Sequence, residues 1–202
     1  MLTSRFLSSL LTLAFLALFV GVLSAEEAVK ESDPVALTPV AADPHHEIIV
    51  SVKDQKMLLL TDGKADTLYP VSTSKFGVGD RWGSYATPLG KLIVKAKIGM
   101  GQPLGAVFKS RTPTGEVLKP NAPGRDPIVT RILWLAGQEA GNAHAFQRGI
   151  YIHGTPQESL LGRPASFGCI RMRSSDVASL YDLVGRGARV EITEGHLKLP
   201  TR

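Results

Sequence analysis

The chain has 202 residues, 44% of them hydrophobic and 20% charged, and a formal net charge of +5. That is enough for one domain with its own core plus a short extension, and the balance is that of an ordinary globular protein. The mild basic excess suits an anionic polymer or a solvated surface; no Lys/Arg cluster is interleaved with aromatic residues, which argues against nucleic acid.

The N-terminus reads as an export signal. Arg5 is followed by an uncharged apolar run from Phe6 to Val22, then Leu23-Ser24-Ala25 and the acidic pair Glu26-Glu27. A positive start, an apolar middle and a small residue at the exit are the parts of a signal peptide over residues 1–25. Leu23 is large for a cleavage site, and residues 6–22 are nearly long enough to span a bilayer, so an uncleaved anchor is the alternative. Both place the remainder in the periplasm or cell envelope. Residues 26–46 are rich in Ala, Pro and acidic side chains without periodicity, and read as a linker. The adjacent His45 and His46 at its end are expected to be solvated.

The domain, residues 47–193, opens with β-rich runs. Glu47–Val52 and Lys56–Leu60 flank a turn at Asp54-Gln55, and Thr61-Asp62-Gly63-Lys64 turns into Thr67–Ser72, where Pro70 marks an edge strand or its end. These predict a three-stranded meander. Residues 73–90 are polar and glycine-rich; Gly77-Val78-Gly79 does not follow a strand into a helix, which rules out a nucleotide-binding loop. Thr87-Pro88-Leu89-Gly90 predicts a reversal before a strand over Lys91–Ile98. From Gly99 to Pro127 the density of Gly, Pro and basic residues predicts a long irregular segment, either a functional lid or a solvated loop. Ile128–Leu135 is a strong strand, and 137–148 a connector with a short helical turn. Gly149–His153 is a strand leading into a loop over 154–168. Ser174-Ser175-Asp176 can cap a helix, and Val177, Leu180, Tyr181 and Val184 repeat at helical spacing. Gly185 and Gly187 stop it, and a last strand covers Ala188–Thr193. Residues 194–202 read as a loose polar tail. The architecture is therefore mainly β, with one short capping helix near residues 175–184.

Chemistry concentrates in residues 150–173. They hold Cys169, the sole cysteine. An exported lone thiol cannot form an intramolecular disulfide and is an oxidation hazard. It is either a buried small hydrophobe or a nucleophile. A nearby imidazole lowers a thiol's pKa by pairing with the thiolate, and His153 lies at the end of the strand that precedes the loop to Cys169. Gly168 lets the backbone turn so that the Gly168 and Cys169 N–H groups can face a tetrahedral oxyanion. Arg171 has the charge for a substrate carboxylate or the anionic intermediate, and equally for a structural ion pair. Ser166 is placed to hold the loop or assist the oxyanion site. His144 and His196 stand alone, and with no second cysteine neither a metal nor a cofactor is expected.

The segments His153-Gly154-Thr155 and Ser166-Phe167-Gly168-Cys169-Ile170-Arg171 resemble the signature of the L,D-transpeptidase catalytic domain family, also called YkuD-like. The resemblance covers roughly residues 46–193 and implies that family's β-sandwich or barrel-like catalytic fold. It further implies Cys169 as nucleophile toward peptidoglycan stem tetrapeptides, His153 as general base and acid, and the Gly154 backbone carbonyl as the group that orients the imidazole. Gly168, Ser166 and Arg171 would then belong to the oxyanion and substrate-binding region. The thioester would be resolved by the amine of another stem peptide, giving a 3–3 cross-link, or of an envelope protein, and carbapenem-type β-lactams would be covalent inhibitors. Phe167 departs from the histidine or other polar residue common there. A hydrolase on the same scaffold and a non-catalytic envelope-binding module are the competing readings. A sortase would have its histidine further upstream, and papain-like amidases place cysteine before histidine.

Overall fold

The computed structural model describes residues 42–199, all within one compact unit. The expected signal or anchor, with its apolar run 6–22, and most of the expected linker lie outside the described residues. Within these residues ten strands and one α-helix follow one another. The first six strands are β1 (His46–Ser51), β2 (Lys56–Thr61), β3 (Lys64–Pro70), β4 (Gly90–Ile98), β5 (Ala106–Lys109) and β6 (Thr112–Val117). Then come β7 (Ile128–Gly137), β8 (Tyr151–Gly154), β9 (Ile170–Met172), the helix α1 (Ser174–Leu183) and β10 (Arg189–Thr193).

The meander β1–β2–β3 forms as predicted, antiparallel throughout. Asp62 and Gly63 both take positive φ between β2 and β3 (49° and 73°), the backbone that an Asp-Gly hairpin turn requires. Pro70 is the last residue of β3, the outer strand of the sheet, where its missing N–H costs no ladder bond. The sheet runs β3-β2-β1-β10-β4-β7-β5-β6, and β1 pairs in parallel with the C-terminal β10. β7 carries β4 and β5 in succession along one edge and β8 on the other, and β9 adds to β8 in parallel.

The core lies between this curved sheet and α1. Ile48, Val50, Leu59, Val94, Leu133, Leu135, Ile152 and Met172 are buried there, joined by Val177, Leu180, Tyr181 and Val184 from α1 and the residue after it. Each such side chain contributes about 1.5–3 kcal/mol by leaving water. The predicted helical stripe is therefore the buried face, and α1 lies against β7 and β8.

Four expectations are corrected. The segment 99–127 is not irregular throughout: β5 and β6 form a hairpin in it, docked on β7. β6 is exposed along its whole length, so it has no apolar alternation to betray it. The serines do not cap α1. Arg173 occupies the N-cap without a side-chain bond, the Thr130 hydroxyl donates to Ser174 Oγ (2.8 Å), and Glu158 accepts the Ser174 N–H (3.0 Å). The end of the linker already belongs to the fold: Asp43 accepts the N–H groups of His45, His46 and Gly185, and His46 begins β1. His46 is partly buried, with Nδ1 on Asp43 at 2.9 Å; only His45 is solvated. The start of the tail is tied down as well, with the Leu197 N–H on Asp54 (2.7 Å) and the Ser51 hydroxyl on Gly195 O (2.6 Å).

Candidate active site

The parallel β8–β9 pair brings the chemistry together. Its register sets His153 beside Arg171 and Ile152 beside Ile170, so Cys169, just before β9, comes level with Tyr151, two positions from His153 and on the same side by strand alternation. The loop between them makes this possible, since parallel neighbours need a crossover rather than a hairpin. His153 is buried at 5% exposure, and its Nδ1 lies 2.8 Å from Gly154 O. A carbonyl only accepts, so Nδ1 carries the proton and Nε2 keeps its lone pair. Gly154 has little alternative: a Cβ there would stand 2.7 Å from Val129 O and 3.2 Å from Val177 on α1.

The half-buried Cys169 thiol donates to Gly149 O at 3.4 Å rather than to His153. Burial pushes it up to about 11, against the pull of the Tyr151 N–H and the charges of Arg148 and Arg171. Burial also lowers His153 to about 4, opposed by the Gly154 carbonyl and Asp126. The expectation of a pKa lowered by the imidazole is thus corrected. Both groups rest neutral at pH 7, so any reaction of the thiol as a nucleophile has to remove its proton as it proceeds, and Nε2 is the ring nitrogen free to accept one.

The approach to Cys169 is held by hydrogen bonds that cross the chain. The Ser166 hydroxyl donates to Cys169 O (2.6 Å) and accepts the Gly168 N–H (3.2 Å). Thr87 Oγ1 donates to Gly168 O (3.0 Å). Gly168 adopts φ 117°, and a Cβ there would press on Ala86 O and Ile150. Ser166 therefore holds the loop, and the Gly168 N–H is occupied, while the Cys169 N–H has no acceptor among the described residues. Arg171 is 2% exposed; it is paired with Asp126 and donates to Ser72 Oγ (3.0 Å). The ion-pair reading describes it, and its charge acts on the site from behind. Among the described residues no three metal-ligating side chains converge.

These residues lie within a region, 45–192, that matches the family model of the L,D-transpeptidase catalytic domain (YkuD). The chain belongs to the L,D-transpeptidase catalytic domain family. It is 27% identical over 162 residues to the Bacillus subtilis protein YqjB, named as an L,D-transpeptidase, covering 80% of this chain and 77% of that one. It is 38% identical over 88 residues to YkuD of Bacillus licheniformis, covering 42% of this chain and 46% of the relative. An L,D-transpeptidase structure from Mycobacterium tuberculosis H37Rv superposes with a TM-score of 0.50 at 20% identity, over 74% of this chain and 58% of that one. M. tuberculosis L,D-transpeptidase 3, solved with a faropenem-derived adduct, gives 0.50 at 20% identity over 74% and 60%. The chain thus spans over half the length of these structures and less than half of YkuD.

In this L,D-transpeptidase domain two further residues shape the site without any spacing signal in the sequence. Asp126 pairs with Arg171 and accepts from the Thr155 hydroxyl. Arg148, whose side chain is 5% exposed, donates to Gly79 O (3.0 Å), Asp80 (2.8 Å) and Ala86 O (2.7 Å). It fixes the 79–86 segment against Gly168 and precedes the carbonyl that receives the thiol. Arg148→Gln is expected to destabilise the domain by about 1–3 kcal/mol, because the buried Asp80 would lose its guanidinium and keep only His144, whose N–H (2.7 Å) and Nδ1 (3.1 Å) face its carboxylate, and the Gly79 and Ala86 carbonyls would lose their donor. Denaturant unfolding checks this, and a loss below about 0.5 kcal/mol would contradict it. A cleft of about 150 Å³ opens here, walled by Trp82, Tyr85, Arg148 and Phe167 with Gly149 and Ile150 in its floor. A larger groove of about 540 Å³, lined by Glu47, Lys91 and Arg189, contains none of the thiol-site residues.

Proposed function

We propose that this protein is an exported L,D-transpeptidase that acylates Cys169 with peptidoglycan stem tetrapeptides. Cys169 Sγ attacks the carbonyl of the third-position diamino acid while His153 Nε2 takes the thiol proton. The Cys169 N–H donates to the oxyanion. Collapse breaks the peptide C–N bond, the imidazolium returns its proton to the leaving D-Ala amine, and a thioester remains. An amine from a second stem, or from an envelope protein, then attacks the thioester, with His153 taking its proton and the thiol restored as leaving group. Gly154 O holds the imidazole in the required tautomer throughout, with no carboxylate in that place. The export reading rests on Arg5 and the apolar run 6–22.

The observation that carries this reading is the neutral imidazole, anchored through Nδ1, two ladder positions from the half-buried Cys169 in a domain of this family. The faropenem adduct on an M. tuberculosis relative supports β-lactam acylation as a probe. Intact-mass spectrometry after incubation with a carbapenem is expected to show one adduct, and peptide mapping to place it on Cys169. With tetrapeptide and an acceptor amine, D-Ala release should accompany cross-linked or exchanged product. An unchanged mass would sink the acyl-enzyme, and D-Ala release with hydrolysed peptide alone would favour a carboxypeptidase.

A further inference from the structure

Three large aromatic side chains stand exposed together at the mouth of the thiol site. Phe76, Tyr85 and Phe167 are 51%, 57% and 59% exposed. Their ring centroids are 5.5–5.9 Å apart, which makes them one cluster rather than scattered residues. Grouped exposed apolar surface of this kind marks binding sites. Lys75 Nζ lies 4.3 Å from the Phe167 centroid and 5.3 Å from that of Phe76. No carboxylate pairs with Lys75 among the described residues. Its position is fixed by the backbone: the Lys75 N–H donates to Ser166 O (3.1 Å), and the Ser166 hydroxyl donates to Cys169 O. Tyr85 and Phe167 are also walls of the cleft whose floor holds Gly149, the acceptor of the thiol proton.

We propose that Lys75, Phe76, Tyr85 and Phe167 bind the acyl-donor stem through a carboxylate on its diamino acid, so that the enzyme selects carboxylate-bearing over carboxamide donors. The claim deepens the transpeptidase reading and rests on it. A cation already held over ring faces loses little side-chain freedom when it pairs with an anion. The same cation repels an incoming ammonium.

The test compares two acetylated tetrapeptide donors that differ only in a free carboxylate or a carboxamide on the diamino acid. The carboxylate donor should acylate with a kcat/KM about two- to fivefold higher, the range of an exposed ion pair. Lys75→Gln should bring the ratio to about one, Lys75→Arg should keep it above one, and Phe167→Ala, which removes the ring under the Lys75 cation, should weaken both donors and reduce the ratio toward one. An unchanged ratio in Lys75→Gln, or a wild-type ratio of one, overturns the proposal. Binding of both peptides to Cys169→Ala, followed by NMR titration, gives a readout without turnover. If neither donor acylates the wild-type protein, the transpeptidase reading fails; a carboxylate preference lost with Lys75→Gln in that titration would still establish the surface, and equal binding would dismiss it.

Discussion

Replacing Cys169 by alanine should abolish acyl transfer, by a factor on the order of 10⁴ or more, while the domain stays folded. No neighbour can take over the attack. The Ser166 hydroxyl proton is committed to Cys169 O, and the Thr87 hydroxyl to Gly168 O. Both side chains are buried and aimed at the backbone rather than at the cleft. Cys169→Ser should be equally inactive, because a hydroxyl in the setting that pushes the thiol to about 11 is harder still to deprotonate. The fold tolerates the change because Cys169 is a small side chain packed only at the margin of a small apolar cluster formed by Ala106, Phe108, Ile132 and Tyr151. The expected stability loss is about 1 kcal/mol, a few degrees in Tm for a domain of this size. D-Ala release and the carbapenem adduct are the two readouts. A variant within tenfold of wild type in D-Ala release, or one still gaining the adduct mass, would remove Cys169 from the mechanism.

Much of the scaffold could be read from the chain because its signals are local. The Asp62-Gly63 hairpin, the edge-ending Pro70 and the four-residue stripe on α1 each announce a structure that depends on neighbours a few positions away. What could not be read depends on partners far off in sequence. β6 has neither alternation nor burial, and the Ser110-Arg111 turn before it takes positive φ at two non-glycine residues, so no turn signature marks it. The tail follows the last strand as a polar run, yet Asp54, more than a hundred residues earlier, receives the Leu197 N–H.

The site divides in the same way. Cys169, His153 and the glycines beside them stand out by residue type and by the paired segments that resemble the family. Their burial does not, and burial reverses the expected direction of the thiol's shift. Arg171 shows how a residue type alone leaves the role open. Its charge suited a substrate carboxylate until Asp126, from the stretch that read as irregular, proved to lie against it. Arg148 carries no motif at all; only the loop it fastens shows why a buried arginine stands next to Gly149.

His153 provides the second large effect, and its burial predicts two pH dependences at once. His153→Gln should lower kcat/KM by about 10²–10⁴-fold, the usual yield of a positioned general base. In the wild type the acid limb of kcat/KM should fall near pH 4, where His153 gains a proton, rather than near 6.5, where a solvated imidazole would. The same shift is linked to stability. Between pH 4 and 6.5 the unfolded chain binds a proton at this position that the folded chain refuses, so stability rises with pH across that window. A displacement from 6.5 to about 4 corresponds to about 3 kcal/mol, fully present above 6.5 and lost as the pH falls to about 4. Cys169 acts at the other end: its thiol, held up to about 11, makes stability fall as pH rises above about 9. Asp43, whose pKa is lowered from 3.8, adds its loss only below the histidine window, so the two do not overlap. Chemical denaturation of wild type and His153→Gln between pH 4.5 and 7.5 separates them. The variant should lose most of the slope in that range, since glutamine cannot titrate and its amide can still donate to Gly154 O. Parallel slopes would mean that His153 is reached by water and protonates as freely in the folded chain as in the unfolded one, and the neutral-imidazole mechanism would have to be replaced by a thiolate–imidazolium pair.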